Sequence, residues 1–90
     1  MPYRDPDEFC AEYAEINGQD TVDEFGATSR LETVTVVDRT PDTARVEARR
    51  FIFGHAPDAG YYDAVEPTAF VLSRRADGWH VVSEEGLPYE

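Results

Sequence analysis

Lysine is absent. All eight basic residues of this 90-residue chain are arginines, set against nineteen Asp and Glu, for a formal net charge of −11. Sequence-independent nucleic-acid binding draws its affinity from phosphates neutralised by basic side chains, so this balance excludes direct binding of DNA or RNA. Anionic membrane surfaces are disfavoured for the same reason. Cysteine is nearly absent too: Cys10 stands alone, so no internal disulfide can form. Two histidines, His55 and His80, and that one thiol do not make a recognised metal-ligand spacing. There is no Asp/Asn loop with a central glycine of the calcium-binding kind and no glycine-rich phosphate loop, so neither metal nor cofactor is expected. No window approaches the roughly 18 apolar residues of a membrane span. Met1 to Glu12 is acidic and lacks the basic-then-apolar order of a signal peptide. The expected location is cytoplasmic.

What is present suits one small domain over 1–90, with no linker, repeat or low-complexity stretch. Apolar residues make up 41%, and five Phe, five Tyr and one Trp supply large side chains for a single core. The acidity has two readings. It can keep the chain hydrated and soluble, as in salt-adapted proteins, or it can present a polyanion-like surface to a basic partner.

The chain divides by period. Asp5 is placed to cap a helix, Pro6 to occupy its first position, and Asp7 and Glu8 to favour the positive end of its dipole. Phe9, Tyr13 and Ile16 form one apolar stripe, and Gly18 after Asn17 is expected as a left-handed C-cap. A second, shorter helix is expected from Asp20 or Thr21 to Phe25. From Leu31 the period becomes that of strands: Leu31 to Val37, Thr43 to Phe53, Tyr61 to Arg75 and Trp79 to Ser83. In the second of these, Ala44, Val46 and Ala48 alternate with Arg45, Glu47 and Arg49, after which Phe51 and Phe53 become the apolar set. That one-residue slip at Arg49-Arg50 predicts a bulge. Pro67 predicts a break or an edge position, and Glu84–Glu90 reads as a loosely attached tail. The expected fold is α+β: an N-terminal helix, plus a short second helix, packed on a four-stranded antiparallel, bulged sheet.

This order resembles the nuclear transport factor 2-like superfamily, which includes the SnoaL-like polyketide cyclases and the ketosteroid isomerases. Phe9-x3-Tyr13-x2-Ile16-Asn17-Gly18-Gln19-Asp20, followed by Val22 and Phe25, is similar to that family's first helix, "N-x-x-D" break and second helix. Phe70 to Val82, with Asp77-Gly78-Trp79-His80-Val81, is similar to its last hairpin. The chain would be a shortened member. The resemblance implies a pocket in which Asp, His and Tyr do acid–base work, but no residue here matches a catalytic position of the family.

Candidate pocket residues are His55, Tyr61, Tyr62, Asp63 and His80. A carboxylate or imidazole in an apolar cavity is displaced toward neutrality, which suits proton transfer. The plainer account makes the tyrosines alternate across a strand and leaves His55 and Asp63 solvated. Phe51, Phe53 and Trp79 are candidate interface residues, since aromatic strands need covering. Arg49-Arg50 and Arg74-Arg75 either pair with carboxylates across the sheet or form an anion-binding face. Three functions are therefore expected in descending order. The first is a non-enzymatic interaction domain that homodimerises or binds a protein partner. The second is a nucleic-acid-mimicking inhibitor of a DNA-binding protein, and the third a small isomerase- or cyclase-like enzyme or binder.

Overall fold

The computed structural model describes residues 2–58 and 60–90 of the chain. Helix α1 runs over Pro6–Asn17 and begins as its sequence dictates: Asp5 Oδ1 accepts the Glu8 amide at 2.8 Å, and Pro6 occupies the first turn. Its end differs from the expectation. Gly18 is right-handed (φ −78°), and a Cβ there would collide with the Ala14 carbonyl oxygen, so glycine serves here by its lack of bulk.

The strands are β1 (Thr21–Val22), β2 (Thr28–Arg39), β3 (Thr43–Ala56), β4 (Gly60–Arg75) and β5 (Gly78–Gly86). Among the described residues they form one antiparallel sheet in the order β1-β2-β3-β4-β5, curled into a half-barrel. The expected four-stranded sheet under two helices is thus corrected to five strands and a single short helix. The second helix is absent because Thr21 and Val22 pair with Ser29 and Thr28, and the Asp23 carboxylate accepts the amides of Phe25 and Ala27, both at 2.9 Å. A side chain that binds backbone donors locally stabilises a turn against a helix.

The expected bulge at Arg49-Arg50 is corrected in its strand: the register does shift there, between Leu31, opposite Arg50, and Thr33, opposite Arg49, but the extra residue lies in β2 and not in β3. From Ala56↔Gly60 to Thr43↔Ser73 the β3–β4 ladder is unbroken. Successive side chains therefore keep alternating, and the apolar set changes from one face of the sheet to the other. The face carrying Ala44, Val46 and Ala48 is the one that α1 covers, whereas Phe51 and Phe53 lie on the opposite, open face. Register shifts occur in the flanking ladders instead: in β2 between Leu31 and Thr33 and between Val36 and Asp38, and opposite Val71/Leu72 in β5. Extra residues in the outer strands lengthen and curl them around β3 and β4.

The core lies beneath α1. Phe9 is buried with Ala44, Val46, Ala48, Phe70, Leu72 and Trp79, and Tyr3 and Tyr13 pack against them. The rings of Phe9 and Tyr13 both meet Phe70 edge-on at 5.2 Å, a preferred aromatic geometry. The stripe does not extend to Ile16, which is 70% exposed. Beneath the last helical turn stands Arg50, which donates to the Asn17 carbonyl at 3.0 Å and to Ser29 Oγ at 3.2 Å. No helix of the described residues is long and apolar enough to cross a membrane.

Past Gly86 the chain continues along β4. Leu87 donates to the Pro67 carbonyl at 2.9 Å, and Glu90 exchanges two backbone hydrogen bonds with Val65. The Leu87–Pro67 bond keeps the register of Thr68↔Gly86, and the shift comes beyond it, at Val65 and Glu90. The Pro67 carbonyl faces the Leu87 side, so its missing N–H falls at the end of the β4–β5 ladder.

Candidate functional site

The β3–β4 hairpin determines where each candidate residue stands. His55 and Tyr61 are cross-strand partners on the open face near the hairpin tip, with rings 5.5 Å apart and edge-on. Asp63 lies opposite Phe53 on the same face. The Tyr61 hydroxyl is pushed above its usual value, first by desolvation and then by the neighbouring Asp63 carboxylate. Tyr62 faces the other way: its hydroxyl lies over Gly54, where a Cβ would come within 2.9 Å of it.

His80 stands at the far end of the molecule. It pairs with Ser73 on β5, twelve residues from Tyr61 along β4, which is about 40 Å of extended strand. Its Nε2 meets Asp77 Oδ1 at 2.7 Å, and that contact is the main cause holding the Asp77 carboxyl below its ordinary value. The five candidate pocket residues are therefore not brought together. Among the described residues, no group of three or more His, Cys, Asp or Glu is arranged to hold a metal ion.

The interface candidates also separate. Trp79 is 8% exposed and belongs to the core. Phe51 and Phe53 do share the open face, stacked at 5.3 Å, with the Arg30 guanidinium 5.8 Å over the Phe53 ring. Cross-strand pairing adds residues that sequence reasoning left out. Val65 lies opposite Phe51 and Val71 opposite Arg45, both half-buried, while Pro67 and Ala69 between them are buried. Counting back along both strands from the turn after Ala56 would have found them, because directly paired residues share a face.

Arg30, Arg45 and Arg49 on this face each have an acidic partner, while Asp63 and Glu85, opposite Phe53 and Ala69, add acid to it. Arg30 binds Asp20 at 2.9 Å, Arg49 binds Glu90 at 2.6 Å and Arg45 approaches Glu47 at 3.4 Å. These hydrogen bonds hold the Asp20 and Glu90 carboxyls below their usual values. The rest of the acid excess is carried elsewhere, notably on α1, whose Asp7, Glu8, Glu12 and Glu15 are accompanied by no basic residue within the helix. No family model, curated protein or solved structure matches the chain.

Proposed function

We propose that this domain is a non-enzymatic interaction module that pairs with a second copy of itself through the open face of its sheet. One observation carries the reading: at Arg49-Arg50 the apolar set of β3 passes to the face that α1 does not cover, grouping the half-buried Phe51 and Phe53 with the half-buried Val65 and Val71. Two features favour a second copy as the occupant. Two chains of charge −11 repel least where arginines offset the acids, and this face carries Arg30, Arg45 and Arg49, each paired with a carboxylate. A twofold pairing also brings identical patches together, so a face bearing both signs of charge can complement itself. Four neighbouring strands about 4.8 Å apart, followed for about 40 Å, offer on the order of 800 Å²; a standard interface takes about 800 Å² from each partner. Kinship with the nuclear transport factor 2-like superfamily is part of the same proposal, supported by an N-terminal helix laid against a curled antiparallel sheet.

Light scattering and sedimentation over a range of concentrations test the pairing. The dimer fraction should rise with concentration, and Phe53→Arg should give a monomer with an unchanged circular-dichroism spectrum. A wild-type chain that stays monomeric at the highest concentrations removes the proposal. So does a Phe53→Arg chain that still dimerises.

A further inference from the structure

The chain has more than two carboxylates for every arginine, so an arginine without an acidic partner is unexpected. Five arginines are ion-paired: Arg4 with Glu8, Arg30 with Asp20, Arg39 with Asp7, Arg45 with Glu47 and Arg49 with Glu90. Arg50 is held by the Asn17 carbonyl and Ser29. The remaining two, Arg74 and Arg75, have no carboxylate within 4.0 Å among the described residues. Arg74 reaches only the Pro41 carbonyl, at 3.5 Å.

These two adjacent residues line one cleft of about 440 Å³ at the β4–β5 turn, together with Tyr3, Arg4 and Trp79. Pairing builds the cleft. Tyr3 and Trp79 exchange backbone hydrogen bonds of 2.9 and 2.8 Å, which brings the N-terminal segment against the start of β5. Gly78 makes this approach possible: its φ is +134°, and a Cβ there would come within 2.8 Å of the Tyr3 carbonyl oxygen. The single acid of the lining, Asp77, has its Oδ1 in the 2.7 Å contact with His80. Arg4 gives one guanidinium nitrogen to Glu8, and a guanidinium has five N–H donors.

We infer that this cleft is a binding site for a phosphate group, borne by a small molecule or free in solution. Arginine forks match phosphate oxygens in paired, charge-assisted hydrogen bonds. The volume lies within the range of small-molecule sites, about 300–1,000 Å³, and exceeds what inorganic phosphate alone would fill. The lining holds three arginines against one carboxylate, Asp77, whose Oδ1 is in contact with His80 and which also feels the charge of Arg75.

The only tryptophan lines this cleft, so its fluorescence reports occupancy. Sodium phosphate and glycerol phosphate should each give a saturable change in emission, while sodium acetate at equal ionic strength should give none. Tighter binding of glycerol phosphate identifies a phosphorylated small molecule as the ligand, and equal binding identifies the free anion. Arg74→Ala and Arg75→Ala should each weaken binding about tenfold, and their combination should abolish it with the circular-dichroism spectrum unchanged. The inference is overturned if neither phosphate compound binds, if acetate acts equally, or if the double variant still binds.

Discussion

Phe9 concentrates the link between helix and sheet in one side chain. Its ring meets Tyr3, Tyr13 and Phe70 at 5.2 to 5.9 Å, and it is buried against Val46 and Leu72 in the core. Phe9→Ala should cost about 3–5 kcal/mol, a large part of the stability of so small a domain, and a urea midpoint would read it. Phe53→Ala, on the open face, should cost about 1 kcal/mol in the isolated monomer. Equal losses at the two positions would mean that the open face is as tightly packed as the core. Cys10 differs from both in chemistry rather than in packing. Burial first, and then Asp7, pushes its thiol up, so the nucleophilic thiolate is scarce at neutral pH.

At the scale of elements, the anchored C-terminal segment has a pH dependence with a definite sign. Glu90 binds Arg49, which holds its carboxyl below the usual 4.5. A carboxyl depressed on folding adds stability above its unfolded value, and that stability is lost as pH falls through the folded one. Hydrogen-exchange protection of the Leu87 and Glu90 amides should therefore be full at neutral pH and fall below about pH 4.5. In Glu90→Gln it should already be low at pH 7 and change little with acid. Protection that is the same in both proteins would show that the backbone pairing with Val65 holds the segment unaided.

The same scale shows what was legible in the chain. The start of α1 could be read because Asp5, Pro6 and Glu8 act on neighbours three residues away. The three long strands β2, β3 and β4 were equally local. The sequence around Arg49-Arg50 was ambiguous, because a slipped alternation has two physical solutions. An inserted residue keeps the apolar set on one face; a regular strand lets it change faces. The unbroken β3–β4 ladder decides for the second, and only the partner strand carries that information. Val22 and Phe25 failed for another reason: a spacing of three suits a helical turn as well as a tight turn, and the two Asp23 hydrogen bonds favour the latter. The pairs Arg49-Arg50 and Arg74-Arg75 look alike in sequence, yet one is fully engaged and the other is not.

Over the whole molecule, charge and apolar surface are segregated. The acid-only helix covers one end of one face, its Glu8 and Asp7 paired with Arg4 and Arg39, while the pairs of Arg30, Arg45 and Arg49 and the open-face aromatics occupy the other. The body is long, 54 × 22 × 16 Å, because 14- and 16-residue strands run nearly its full length. Phe51 and Phe53 lie nearer the β3–β4 turn and Arg74 and Arg75 beside the β4–β5 turn, with Val71 of the open face three residues from Arg74.

The meander order of the sheet also bears on how the chain reaches this shape. Each strand pairs only with its neighbours in sequence, so most ordering requires only short loops to close, a condition that favours rapid folding. The Tyr3–Trp79 bridge is the exception, joining the N-terminal segment to the start of β5. It can close only after the intervening strands have brought those segments together, since long loop closure carries an entropic cost. In stopped-flow experiments Tyr3→Ala should accelerate unfolding and leave the refolding rate almost unchanged, whereas Val46→Ala in the central hairpin should slow refolding. Slower refolding of Tyr3→Ala would instead place the joining of these segments among the first events.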